Sequence, residues 1–139
     1  MTVYTYIYTK EASWAFGVSA DDALYHPDIL MPYLKPRVGI LVTGGERGAS
    51  YCIKGVGSNY MAAYSIATDD IVDTTGAGDS FIATFLAAIA MDKAAVLRSK
   101  VGADRALRMA CIAGALTCMK AGAIAASPSL QQVISMLIE

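Results

Sequence analysis

The sequence predicts an α/β fold, on three observations. "TVYTYIY" alternates with period two and reads as a strand. "VGILVT", Val38 to Thr43, is almost wholly apolar and β-branched, as expected of a strand buried on both faces in a parallel sheet. Beyond it come apolar stretches that read as buried helices, chief among them Phe81 to Met91 and Met109 to Met119. A chain of 139 residues that is 55% hydrophobic is enough for one domain and its core.

In the first strand Tyr4, Tyr6 and Tyr8 share one face, with Val3, Thr5 and Ile7 on the other. A helical segment around Glu11 to Phe16 follows and is stopped by Gly17. Ser19 caps "ADDALYH", and a short helix from Asp28 to Leu34 lies between Pro27 and Pro36. After the strand Val38 to Thr43, "GGERG" turns the chain. "ASYCIK" and "YMAAYSI" flank the turn-forming "GVGSN" as an antiparallel hairpin, so the sheet is expected to be mostly parallel with an antiparallel hairpin at its edge. Past "DIVDTTGAGD" three helices are expected: Ser80 to about Met91, about Asp104 to Lys120, and one from Ser129 onward, capped by that serine and separated by Pro128. There is no repeat, low-complexity tract or linker.

Charge narrows the classes of function. Eleven Lys and Arg are scattered singly among twelve acids, for a net charge of -1, which is not the basic stripe of a nucleic-acid binder. Each apolar stretch falls short of the roughly 18 to 20 residues of a membrane span. The N-terminus lacks the basic start and solid apolar core of a signal peptide, and the expected location is cytoplasmic. Cys52, Cys111 and Cys118 are odd in number, and the last two, seven apart on one helix face, are about 10 Å apart along the axis. They read as reduced core thiols. Trp14 and Phe16 are expected in the core, His26 at a surface turn, Asp69 and Asp70 in a solvated turn, and Arg98, Lys100, Arg105 and Arg108 on a solvated helix face.

The chemistry concentrates in "DIVDTTGAGDSF", Asp70 to Phe81. The first N–H groups of a helix have no internal partner, and the aligned peptide dipoles place partial positive charge there. Gly76, Ala77 and Gly78 carry almost no side chain to keep an anion from those groups. Asp79 would repel a bound phosphate unless it accepts a proton from a hydroxyl attacking that phosphate, which is the task of a general base. The Walker pattern GxxxxGK[ST] is absent, and GxGxxG fails at its third glycine, where Phe81 stands.

With its flanks, "IVDTTGAGDSF" resembles the C-terminal signature of the ribokinase/PfkB family of carbohydrate kinases. "VTGGERG" is similar to that family's nucleotide-phosphate turn, "EASWAFGVS" to the region after its N-x-x-E motif, and "KAGAIAASPS" to the segment that closes its site. The resemblance implies a ribokinase-like three-layer α/β/α sandwich. All 139 residues then correspond to a single partial domain, the C-terminal, ATP-binding part, without the N-terminal sugar-binding part and lid. It also implies transfer of the γ-phosphoryl of ATP to a sugar or nucleoside hydroxyl, with Mg²⁺ and, in many members, a monovalent cation such as K⁺.

Residue by residue, the resemblance implies Asp79 as the base and Gly76, Ala77 and Gly78 as the anion hole. Thr43, Gly45 and Gly48 become the nucleotide-phosphate turn, with Ala113 and Thr117 as further nucleotide contacts. Glu11 becomes the glutamate acting on Mg²⁺, while Asp73, Thr75 and Gly122 hold the monovalent cation. Two positions depart from the pattern. Tyr8 stands where N-x-x-E has asparagine, and a phenol cannot repeat a small amide's hydrogen bonds; Ala110 stands at an adenine-side position where some members carry Asn.

Proximity and orientation contribute roughly 7 to 11 kcal/mol to such reactions, so an ATP-binding half alone is expected to be a poor kinase. The expected partners are ATP, a sugar-like small molecule, and either a complementary N-terminal half or a second copy paired through the exposed edge of the first strand. The other reading is a truncated, catalytically inactive chain that at most binds nucleotide or a protein partner. Tyr8 favours that reading, and the intact D-T-T-G-A-G-D favours the kinase.

Overall fold

The structure is a computed structural model that describes residues 4–138; Val3, expected in the first strand, and Glu139 lie outside the described residues. Strand β1 (Tyr4–Tyr8) runs straight into helix α1 (Thr9–Phe16), which ends where Gly17 takes a left-handed φ of 68°. Ser19 Oγ accepts the Asp22 N–H at 3.0 Å to start α2 (Ala20–Tyr25). A 3₁₀ turn (Pro27–Leu30) and a single helical turn, α3 (Met31–Leu34), lead to β2 (Gly39–Thr43). Strands β3 (Ala49–Ile53) and β4 (Gly57–Met61) precede α4 (Ala77–Met91), α5 (Lys93–Arg98), α6 (Lys100–Cys118) and α7 (Leu130–Leu137).

The sheet order is β1-β2-β3-β4. β1 pairs parallel with β2, bringing Tyr8 opposite Thr43, whereas β2–β3 and β3–β4 pair antiparallel. Within the described residues parallel pairing is therefore confined to one ladder and does not predominate as expected. The reason lies in the connections: only β1 and β2 are separated by helices long enough for a crossover, and tight turns join the rest.

Helices cover both faces of this sheet. Leu41, Tyr51 and Ile53 pack on Phe81, Phe85, Ile89 and Leu107 of α4 and α6, while Ile7, Ile40 and Val42 pack on Ala12, Leu24 and Leu30 on the other side. Alternation along β2 thus feeds two cores, the three-layer α/β/α arrangement. Phe85 has no exposed surface, and truncating such a side chain to alanine costs about 3 to 5 kcal/mol. Val133 of α7 joins Met109 and Ile112 on the outer side of α6.

Several boundaries differ from expectation, each for a local reason. The hairpin closes tightly, so β4 begins at Gly57 and the 62–66 segment leaves the ladder. α4 starts earlier, at Ala77, because Gly76 rather than Asp79 or Ser80 is the residue before its first turn. α5 was not foreseen: Asp92 caps it through the Ala95 N–H at 3.0 Å, and Ser99 then starts α6 ahead of Asp104. A Cβ at Gly102 would lie 2.0 Å from the Ala95 carbonyl, so these two helices meet backbone to backbone.

Trp14 is not core. It is 91% exposed, because α1 buries the stripe Thr9 and Ala12 and Trp14 falls on the opposite face. Phe16 is half-buried and stacks on Tyr33 with ring centroids 5.0 Å apart. The three cysteines are free, with Cys52 and Cys111 buried. Among the described residues no helix is long and apolar enough to cross a membrane.

Candidate functional site

β1 and β2 end side by side, and a cleft of about 660 Å³ opens at their C-terminal ends, the end at which open α/β sheets bind ligands. Tyr6, Tyr8 and Thr43 line it from the sheet, Gly45 and Gly48 from the turn after β2, and Ala77, Gly78 and Phe81 from the start of α4. The 63–66 segment, the loop carrying Thr68, Ile71 and Thr74, and α6 contribute further walls.

The turn into α4 leaves backbone donors uncovered. Gly76 has φ 83°, and a Cβ there would lie 2.9 Å from Ala123, so both conformation and space require glycine. The Asp73 carboxylate accepts the Thr75 N–H at 2.9 Å and, across to the neighbouring loop, the Gly122 N–H at 3.2 Å. Hydrogen bonds from the Thr75 hydroxyl and N–H, then from Gly122, hold the Asp73 carboxyl below its usual range. Ala77 N–H reaches the Thr74 carbonyl at 3.3 Å and Ser80 N–H the Gly76 carbonyl at 2.9 Å. Among the described residues the N–H groups of Gly76, Gly78 and Asp79 have no acceptor. They sit at the positive end of a 15-residue helix.

Of the residues expected to bind nucleotide, the cleft gathers Thr43, Gly45, Gly48, Ala77 and Gly78. Gly76 shapes the turn behind them. Asp79 is exposed in the first turn of α4, outside the cleft lining. Ala113 and Thr117 do not reach it: both are fully buried, and Thr117 Oγ1 lies 2.8 Å from both the Ala113 carbonyl and Ser80 Oγ. Helical phase explains the correction, since two residues along a helix is more than half a turn. α6 instead presents Cys111, Gly114, Ala115 and Cys118 to the cleft, a stripe at i, i+3, i+4 and i+7. The spacing of the two cysteines on one helix face was the sequence signal that could have located it. Ala110 is likewise fully buried, and Cys111 beside it lines the cleft.

Glu11 lies outside the cleft lining, and its Oε2 accepts the Tyr8 N–H at 2.9 Å at the start of α1. Among the described residues no three His, Cys, Asp or Glu side chains gather where they could hold a metal ion. Asp73, Thr75 and Gly122 do come together, but as a hydrogen-bonded tie between two loops. Gly122 offers Asp73 its N–H, and its carbonyl accepts from Ala126 N–H at 3.1 Å.

Fold and cleft define a class: a three-layer α/β/α sandwich with a glycine-lined cleft at the strand ends and an open helix N-terminus within it. Residues 11–130 match the family described as pfkB family carbohydrate kinase, and the chain belongs to that family. It is 35% identical over 115 residues to a fructokinase of Solanum tuberosum, a match covering 83% of this chain and 32% of that one. It is 41% identical over 98 residues to the probable fructokinase-4 of Arabidopsis thaliana, covering 70% and 28%. Ribokinase of Arabidopsis thaliana, solved in complex with ribose and ATP, superposes with a TM-score of 0.75 at 26% identity, over 96% of this chain and 40% of that one. The fold is ribokinase-like, and the chain spans about a third of the length of the fructokinases it matches.

Proposed function

We propose that this chain carries the phosphoryl-transfer site of an ATP-dependent sugar kinase. The observation that carries the reading is the set of unpartnered N–H groups at Gly76, Gly78 and Asp79, at a helix start beside the Asp79 carboxylate. In the proposed reaction the carboxylate of Asp79 takes the proton of an acceptor hydroxyl. The acceptor oxygen forms its bond to the γ-phosphorus of ATP, and the bond to the β,γ-bridging oxygen breaks, leaving ADP. The N–H groups hold the equatorial oxygens as charge spreads over them, and phosphoryl transfer draws most of its acceleration from such fixed donors. Thr43, Gly45 and Gly48 let the remaining phosphates lie against backbone. No step is assigned to a metal held by this chain.

Fructose is the first acceptor to test, because the relatives named above are fructokinases. An exposed Asp79 suits a base that meets its sugar from outside the nucleotide cleft. β1 pairs on one side only among the described residues, so its outer edge is the proposed place for a further strand, from additional chain or from a second copy.

Calorimetric titration of the folded chain with Mg·ATP tests the site, alongside Gly78→Val and Asp79→Ala. Saturable binding that the valine abolishes and Asp79→Ala retains is the expected result. A folded chain that takes up no nucleotide overturns the reading.

A further inference from the structure

Two phenols on one face of β1 reach the two glycine turns, one each. The Tyr6 hydroxyl lies 3.0 Å from Thr43 Oγ1, and a Cβ at Gly78 would come within 3.0 Å of that same hydroxyl. Two residues along the strand, the Tyr8 hydroxyl lies 3.3 Å from where a Cβ at Gly45 would stand. Both rings line the cleft, Tyr6 is 37% exposed, and its ring leans on Phe81 with centroids 6.3 Å apart. Neither hydroxyl is buried in a core where its only role could be packing. Tyr4, next on the same face, is the contrast: its hydroxyl is buried without a partner, against Phe85.

We infer that Tyr6 and Tyr8 are phosphate-positioning residues, their hydroxyls donating to phosphate oxygens held between the Gly45 and Gly78 turns. The inference rests on the proposed nucleotide site and deepens it. The geometry has a chemical logic: a phenol is a neutral donor that can turn about its C–O bond, and Thr43 Oγ1 can accept from Tyr6 until an anionic oxygen competes for the proton. Hydrogen bonds to charged oxygens are stronger than those between neutral groups, so exchange of Thr43 for phosphate is favourable.

The test removes each hydroxyl and keeps its ring. Affinities of the folded chain for ATP, ADP and tripolyphosphate are measured by calorimetry for wild type, Tyr6→Phe, Tyr8→Phe and Gly78→Val. The expected result is a loss of about tenfold in ATP and tripolyphosphate affinity for each Phe variant, with a smaller loss for ADP in the variant nearer the terminal phosphate. Unchanged affinities in both Phe variants, with binding still abolished by Gly78→Val, overturn this inference and leave the nucleotide site standing. Tighter binding by Tyr6→Phe overturns it too, because the phenol would then be a plug. No binding by folded wild type overturns both.

Discussion

The two glycine turns of the cleft look alike in sequence and are built in opposite ways. "GGERG" closes on itself: Gly44 N–H reaches the Gly48 carbonyl at 2.8 Å, Gly48 N–H the Gly45 carbonyl at 3.1 Å, and Arg47 N–H the Gly44 carbonyl at 3.3 Å. "TTGAGD" spends fewer donors on itself, leaves three N–H groups unpaired at a helix start, and is held from outside by Asp73 and Gly122. The first turn commits the N–H groups of Gly44 and Gly48 to itself and, among the described residues, leaves those of Gly45 and Glu46 open, away from the start of a long helix. The second leaves its open donors at the positive end of α4. The difference teaches that what a glycine motif can offer a ligand is set by its hydrogen-bond accounting and its place on a helix, not by its composition.

Substitutions at the glycines separate the two roles. The largest effect is expected at Gly48, where φ is 100° and a Cβ would sit 2.2 Å from the Met61 carbonyl. Gly48→Ala has to displace backbone as well as strain it, and about 2 to 5 kcal/mol of stability is expected to go, read as the midpoint of urea unfolding. A midpoint unchanged from wild type would show that this turn is not the rigid wall described here.

Gly78 is the converse case. Its neighbour is only the far end of the Tyr6 side chain, at 3.0 Å from a Cβ, so the fold tolerates a larger residue. Gly78→Val is expected to shift the unfolding midpoint little while weakening Mg·ATP about a hundredfold, because its branched side chain keeps a phosphate from the N–H groups of Gly78 and Asp79 although those donors remain. Parallel loss of stability and binding would erase the contrast between the turns.

Gly76→Ala falls between them. A φ of 83° and the 2.9 Å approach to Ala123 predict a loss of about 1 to 3 kcal/mol. Because Gly76 sets the angle at which α4 enters the cleft, nucleotide affinity should fall with it. A stable variant that binds as wild type would show that the turn can relax without disturbing the N–H groups.

Much of this was legible along the chain. Ser19, Gly17 and Ser129 act locally, and the helix ends they mark are the observed ones. The open N–H groups before α4 are legible for the same reason: backbone donors at a helix start need no distant residue to exist. What escaped was tertiary. Which side of α6 faces the cleft depends on how that helix docks on α4, where Gly114 approaches the Ala77 carbonyl, so Thr117 was placed in the site and Cys111 was not. Trp14 reads in sequence as core, but burial of Thr9 and Ala12 by α1, which only the packing reveals, turns it outward. The three tyrosines of β1 were read as one face, and only the neighbouring turns distinguish Tyr4 in the core from Tyr6 and Tyr8 in the cleft.

The smallest effect, and the sharpest on how the open turn is held, is expected from acid. Asp73 has its carboxyl held below the usual value of 3.8 by donors from Thr75 and Gly122. A carboxyl whose folded value lies below its unfolded one binds fewer protons when folded, so its contribution is fully present above about pH 4 and is lost as pH falls through the folded value. Wild type should therefore shed this increment of stability on acidification below pH 4, and Asp73→Asn, which cannot titrate, should not. The comparison requires urea midpoints of both proteins at neutral pH and through the acid range. The difference between them should hold from neutral pH down to about pH 4 and shrink toward zero below that. The closed turn is tied to a carboxylate only through the Arg47 side chain and Asp21, not through its backbone N–H groups, so Gly48 should keep its amide-exchange protection over the same range while the amides of Thr75 and Gly122 lose theirs. A difference between the two proteins that persists unchanged into acid would mean that Asp73 holds the loops by shape rather than by charge.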